Sequence, residues 1–383
     1  MTSHIFISSM ARSGSTLLDK LLNSHRNLTI HSQPFPYIFI EAKRRFYQII
    51  NHPESYYFLN HYFGENHYQI DQLNGFLEQS RWKRTELINL INAQQGYSGQ
   101  QTSHDRYHGI DTILPDEIQG FDPLLRKLLE ALPGAEGTST GSKEILCEEF
   151  MPYLASHGFR TILIVRDPRD VLTSINRGKG EAYFGKPRPT LFHLRNWRKS
   201  VAFSILLEGH PNFLRVRYED LVTEPKNTMG EITDFLRISP LPDHCFEGEI
   251  HDQNGRAWDG NSSHGSKHGI STSSLGGYRQ HLSIEMTRYI EYVCFPEMRY
   301  LGYPLEKNSW NSAHLTCFRE PFDIRRPELP QDYSQDPVHI KQEKQRQSWL
   351  QGDYMKRPPD EVLVQWFLSP AVFQALAEAV ASD

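Results

Sequence analysis

Thr161-Ile162-Leu163-Ile164-Val165 is an apolar run without polar alternation after its first residue. Such a strand has both faces covered, as strands have in parallel sheets sandwiched between helix layers. It runs into Arg166-Asp167-Pro168-Arg169-Asp170 and then into Val171, Leu172 and Ile175 at helical spacing. Proline suits a first helical position, and Asp167 suits the cap before it. The unit is strand, turn, helix, with cationic side chains crowding the turn and Ser174 about two turns along.

A second unit of the same kind lies near the N-terminus. Ile5-Phe6-Ile7 leads into Ser8-Ser9-Met10-Ala11-Arg12-Ser13-Gly14-Ser15-Thr16, and Leu17-Leu18 with Leu21-Leu22 lead out at helical spacing. Small side chains let a backbone approach an anion, and the first N–H groups and dipole of the helix favour negative charge there. The alternative is an ordinary βα turn with Ser13 or Ser15 as a helix cap. A Walker A loop reads G-x-x-x-x-G-K-[ST]. Aligned on Gly14 and Thr16, Ser9 replaces the first glycine and Ser15 replaces the lysine, leaving Arg12 as the nearby cation.

The remaining segments complete an α/β pattern. Leu28-Thr29-Ile30 reads as a second strand, with His31 and Gln33 at its C-terminal end, where open parallel sheets face their ligands. Tyr37 to Ile50 reads as a helix whose basic patch Lys43-Arg44-Arg45 is expected to be solvated. Residues 51–110 are rich in aromatics, including Tyr56-Tyr57-Phe58, Tyr62-Phe63, Tyr68 and Trp82, and are expected to form helices over the crevice. Gln94–Gly109 is expected as a mobile loop. A helix over Ile118–Leu132, a linker over Gly134–Ser142 and a strand over Lys143–Cys147 follow, then a helix to about His157. Further on come a helix over Leu191–Leu207, a strand over Phe213–Tyr218, a turn at Glu219–Leu221 and a helix over Lys226–Leu236. A long polar loop over 239–277 precedes a helix over Ser283–Phe295. The spacing predicts a three-layer α/β/α fold with a central, mainly parallel sheet over 1–303. Residues 304–383 form a C-terminal extension with an apolar-periodic helix from about Asp360, interrupted at Pro370.

The formal net charge of −5 gives no bulk attraction to nucleic acid or to an acidic membrane, so no partner of either kind is expected. An anion must be held by a local cluster. The four cysteines, Cys147, Cys245, Cys294 and Cys317, are scattered without a C-x-x-C pair, which fits buried free thiols in a reducing compartment. No apolar run reaches membrane-spanning length or forms a signal core, and a cytoplasmic protein is expected. The sequon Asn261-Ser262-Ser263 reads as chance in that setting.

These motifs together resemble the sulfotransferases that use 3′-phosphoadenylyl sulfate (PAPS), whose fold is similar to that of the P-loop NTPases. Arg12-Ser13-Gly14-Ser15-Thr16-Leu17-Leu18 resembles their 5′-phosphosulfate loop, in the form of the bacterial, tyrosyl-protein and carbohydrate members. Ile164 to Val171, with Ser174, resembles their 3′-phosphate motif, which implies that Arg166 and Ser174 hold that phosphate. Arg217-Tyr218-Glu219-Asp220-Leu221 resembles the segment whose tyrosine lies beside the adenine. Leu275-Gly276-Gly277-Tyr278 resembles the family's G-x-W stretch, with Tyr278 where tryptophan is usual. The resemblance implies that Ser271, Ser273 and Ser274 belong to a loop closing over the 3′-phosphate, with Lys267 substituting for the usual basic residues. It covers roughly residues 4–303.

The resemblance further implies PAPS as co-substrate, PAP as product and no required metal. The acceptor would be a hydroxyl or amine on a small molecule or carbohydrate. Arg12 and the amides of Ser13, Gly14, Ser15 and Thr16 would stabilise the leaving phosphate, and Lys143 resembles an active-site lysine of cytosolic members. Many members place a glutamate just after the second strand, where this chain has Ser32-Gln33, so His31, Glu144 and Glu149 stand as candidate bases. A P-loop kinase or NTPase and a non-catalytic PAP-binding scaffold are the alternative readings. The oligomeric state is left open, a homodimer included.

Overall fold

The computed structural model describes residues 4–50, 68–94, 107, 109–133, 139–175, 188–250, 258, 269–306, 309–321, 332–352 and 357–382. The strands are β1 (His4–Ser9), β2 (Leu28–Ser32), β3 (Arg81–Lys83), β4 (Glu117–Gln119), β5 (Ser139–Ile145), β6 (Arg160–Val165) and β7 (Phe213–Arg217). Five of them form one parallel sheet in the order β2-β5-β1-β6-β7, while β3 and β4 make a separate antiparallel pair. β1 lies at the centre of the sheet and is buried along its whole length. Ile7 faces Lys143 on one side and Ile162 on the other, so the strands bring their C-terminal ends to one edge.

Alternation along the strands divides the core. Ile5, Ile7, Ile30, Ile162, Ile164 and Val216 pack against Leu17, Leu18, Leu21 and Leu22 of the Ser15–Asn23 helix and Met229 and Ile232 of the Pro225–Leu236 helix. Phe6, Leu163, Val165 and Phe213 join a larger core with the helices Pro36–Ile49, Phe121–Glu130, Thr190–Leu206 and Ile284–Tyr300. This is the expected layer of helices on each face of a parallel sheet.

Several local expectations are corrected. β5 begins at Ser139, inside the expected linker, and Thr140 and Gly141 pair with β1 and β2 on either side. Gly141 is required there, since a Cβ would lie 2.5 Å from the Ile5 carbonyl oxygen and 2.9 Å from Ile30 Cδ1. β2 runs on to Ser32, so His31 lies within the sheet. Glu219–Leu221 belongs to a helix, Tyr218–Thr223, and the helix after Ser283 continues through Pro296 to Tyr300.

Lys43 is not solvated. It is 2% exposed, lies 2.6 Å from Glu149 Oε1 and donates to the Leu146 carbonyl at 2.5 Å. Gln94 and Tyr107, at the ends of the expected mobile loop, are buried together, with Gln94 Nε2 donating to the Pro34 carbonyl at 2.6 Å. Tyr68 and Trp82 serve as core, whereas Tyr56–Phe58 and Tyr62-Phe63 lie outside the described residues.

Beyond residue 303 the chain forms the helices Ala313–Cys317, Pro337–Gln351, Asp360–Phe367 and Pro370–Ala381. Leu363, Phe367, Val372, Phe373 and Leu376 join the larger core. The Pro337–Gln351 helix is attached mainly through charge. Glu343 lies 2.9 Å from Arg195 and 2.6 Å from Arg198, and Arg346 pairs with Glu297, all of them buried. Among the described residues no single helix is long and apolar enough to cross a membrane. All four cysteines are free thiols.

Candidate active site

At the end of β1 the chain folds back through two left-handed residues, Arg12 at φ 69° and Gly14 at φ 97°. Ser13 N donates to the Met10 carbonyl at 3.3 Å, closing the loop ahead of the Ser15–Asn23 helix. Gly14 is the N-cap residue and no side chain caps this helix, which sets aside the alternative of Ser13 or Ser15 as a cap. Ser15 Oγ instead accepts from Ser9 Oγ at 2.9 Å. Ser13 Oγ is buried without a hydrogen-bond partner among the described residues, as a group meant for a ligand would be.

The turn after β6 converges on this loop. Arg166 Nη1 donates to the Arg12 carbonyl at 3.2 Å, and its Nη2 donates to the Ser274 carbonyl at 2.9 Å. Arg12 Nε donates to Ser174 Oγ at 3.0 Å. The Tyr218 ring lies against Gly14, where a Cβ would come within 2.2 Å of it, and Arg166 stands 4.4 Å from the ring centroid. Tyr218 Oη and Ser274 Oγ share a hydrogen bond of 2.9 Å. The Arg12 guanidinium is pulled down to about 10, by burial first and by the neighbouring Arg166 second. It stays charged at neutral pH, and two guanidiniums in one buried space favour an anion between them.

Other contacts hold these turns in place. Asp167 Oδ1 accepts from Arg169 N at 2.9 Å, capping the Pro168–Ile175 helix. Glu219 Oε1 accepts from Asp167 N at 2.9 Å, and Trp197 Nε1 donates to the Arg166 carbonyl at 2.8 Å. Asp170 accepts from Gly276 N at 2.7 Å and Tyr278 N at 3.0 Å, and Gly277 lies between them. Ser271 Oγ donates to Ser273 Oγ at 3.0 Å, with Ser271 half-buried and Ser273 exposed. Lys267 lies outside the described residues. Asp170, Glu219 and Trp197 were not singled out from sequence. The first two lie inside the quoted motifs, whereas Trp197 carries no local signal beyond its apolar spacing.

The remaining candidates divide between the faces of the sheet. Lys143, 1% exposed, extends toward the Ser15–Asn23 helix, with Nζ 3.5 Å from Thr16 Oγ1 and 3.5 Å from Asp19 Oδ2. Burial lowers its pKa, against an opposing pull from Asp19. Glu144 lies on the opposite face and accepts from Phe35 N at 3.0 Å, steadying the turn where Gln33 has φ 45°. His31 pairs in register with Ser142, which puts it on the same face as Glu144 one strand over. Glu149 is buried between Lys43 at 2.6 Å and Lys199 at 3.0 Å. Burial alone would raise its pKa, but Lys199 and Lys43 hold it below the usual carboxylate range. Glu149 is thereby corrected from a candidate base to a member of a core ion-pair cluster.

The two cation-bearing strand–turn–helix units meet at the strand ends of the parallel sheet, an arrangement able to hold an anion. Residues 145–302 match the sulfotransferase domain family. The matched span contains Arg166, Ser174, Tyr218 and the 274–278 segment, and it begins after Arg12 and Lys143. No curated protein matches the chain. Among solved structures, the sulfotransferase domain from the curacin biosynthetic pathway is 17% identical, with 80% of this chain and 99% of that one covered and a TM-score of 0.44. The sulfotransferase domain of the Synechococcus PCC 7002 olefin synthase is 18% identical, with 80% and 96% covered and a TM-score of 0.43. Retinol dehydratase, solved with androsterone and the inactive cofactor PAP, is 17% identical, with 80% and 82% covered and a TM-score of 0.38.

Proposed function

We propose that this chain moves the sulfuryl group of PAPS to an acceptor hydroxyl or amine on a small molecule or carbohydrate and releases PAP. The observation that carries the proposal is the meeting of Arg12, Gly14, Arg166, Ser174, Tyr218 and Ser274 at one edge of the sheet. A donor with phosphates at both 5′ and 3′ positions needs two anion sites flanking a nucleoside. The buried, unpartnered Ser13 Oγ and the Gly14 cradle fit such a donor. In this reading Arg166, Ser174 and Ser274 receive the 3′-phosphate, with Ser271, Ser273, Gly276 and Gly277 in the segment beside it, and Tyr218 flanks the adenine. Gly14, Ser15 and Thr16 turn their amides to the 5′-phosphosulfate, with Ser13 Oγ beside them. Arg12, expected beside the leaving oxygen, points to Ser174 and is assigned to the space between the two phosphates.

PAPS supplies the activated sulfuryl group. The S–O bond to the donor phosphate breaks as the acceptor oxygen or nitrogen bonds sulfur, and the acceptor proton passes to a base. The amides of Gly14, Ser15 and Thr16, and Lys143 close behind Thr16, oppose the negative charge growing on the leaving phosphate. Fixed cations and N–H groups supply that stabilisation. His31 and Glu144, on neighbouring strands and one face, are the candidate bases; of the two side-chain types, imidazole is the one whose ordinary range lies near neutrality. Gln33 cannot take a proton, which is the observation favouring the scaffold alternative.

The test is transfer of labelled sulfate from PAPS to an acceptor panel in EDTA. Labelled product with matching PAP release is expected, and His31→Ala should lose turnover while still binding PAP. Normal turnover in that variant removes His31 as the base. PAP binding without transfer to any acceptor supports the scaffold reading, and Mg²⁺-dependent ATP hydrolysis supports the NTPase reading.

A further inference from the structure

Asp170 is 3% exposed, and its carboxylate lies 4.0 Å from Arg166 Nη2. A negative charge there competes with any phosphate for the guanidinium. Taken as charge alone, the residue works against the site it adjoins. Its geometry does the opposite. Oδ2 accepts from Gly276 N and Oδ1 from Tyr278 N, so both carboxylate oxygens engage one short segment. Gly276 sits at φ 66°, a left-handed conformation that glycine adopts readily and that lets the turn bring its N–H to Asp170. The same segment brings the Ser274 carbonyl to Arg166 and the Ser274 hydroxyl to Tyr218. On its other side Arg169 stacks on the Tyr278 ring at 4.3 Å and pairs with Glu291 at 2.5 Å.

We propose that Asp170 is a positioning residue that latches residues 274–278 onto the Arg166 turn, giving the 3′-phosphate pocket its closing wall before a nucleotide arrives. The identity of the ligand rests on the function proposed above, whereas the latch itself does not. Carboxylate hydrogen bonds to backbone N–H groups are among the stronger ones, and two of them fix both the place and the orientation of a turn.

Asp170→Asn keeps the shape but turns an NH₂ group toward one of the two backbone donors, breaking one contact. The latch and a mere neighbouring charge predict opposite signs. If Asp170 acts only through charge, its removal tightens PAP binding. If it is the latch, PAP binding weakens about tenfold, the scale of one lost charge-assisted hydrogen bond. Amide exchange at Gly276 and Tyr278 should also quicken about tenfold in nucleotide-free protein, by the same energetic scale. Asp170→Glu, which retains two acceptor oxygens, should recover part of both effects. Tighter PAP binding or unchanged exchange at these amides overturns the latch. Should Asp170→Asn fail to fold, the wild-type protein decides: the two amides must exchange as slowly as those of the Pro168–Ile175 helix, and exchange at exposed-loop rates overturns the proposal. Failure of the wild type to bind PAP overturns the nucleotide reading and leaves the exchange result to judge the latch.

Discussion

At Gly14 the backbone conformation and the contact with Tyr218 act together. The φ of 97° disfavours any side chain, and an added Cβ would lie 2.2 Å from the ring. Gly14→Ala must therefore displace either the loop or the tyrosine, at a cost of about 1–3 kcal/mol in backbone strain alone. We expect a lower melting temperature and weaker PAP binding, read by calorimetry; full affinity in this variant would show that the cradle does not need this close approach. Arg12, Arg166 and Ser174 were legible in the sequence because each belongs to a short local motif at the end of an apolar strand. Their mutual contacts were not, because Arg12 reaches Ser174 only after β1 and β6 lie side by side. Lys43 shows the same limit. In sequence it belongs to a basic patch, and Glu149 and the Leu146 carbonyl, brought up from another segment, make its burial tolerable.

At the scale of elements, hydrophobic pattern found the sheet wherever strands were apolar and missed it where packing demanded small residues. Ser139-Thr140-Gly141-Ser142 reads as a linker, yet it forms most of a strand between two others. The Pro337–Gln351 helix was invisible for the opposite reason. Of its residues, those buried are Glu343, Arg346, Gln347 and Leu350, so it has almost no apolar face to detect. Its attachment has a pH signature. Burial alone would raise the Glu343 pKa, but Arg198 and Arg195 pull it from 4.5 to about 2. A folded-state pKa below the unfolded one means stability present above about pH 4.5 and lost as pH falls toward 2. The loss amounts to roughly 3 kcal/mol. Urea unfolding at pH 6 and pH 3 should show part of this drop, and Glu343→Gln should reduce the difference while destabilising the protein at pH 6 by about 3–5 kcal/mol. An unchanged pH dependence in the variant would remove Glu343 as its source.

For the whole molecule, we propose that residues 1–303 form the catalytic domain and that 304–383 are an extension built into it. The extension shares the larger core and pairs with the Thr190–Leu206 helix through Arg195 and Arg198. Between those arginines lies Trp197, which holds the Arg166 carbonyl. On the function proposed above, a chain of net charge −5 would hold a doubly phosphorylated nucleotide by this local convergence rather than by bulk attraction. The most direct test compares the dissociation constants of PAP and 5′-AMP in EDTA, for the wild type and for Arg166→Ala. PAP should bind the wild type more tightly by about 2–3 kcal/mol, the scale of a charge-assisted contact to phosphate, and Arg166→Ala should erase most of that difference. Equal affinity for the two nucleotides, or a preference for Mg²⁺-ATP over PAP, would contradict the assignment of this site to a PAPS-type donor.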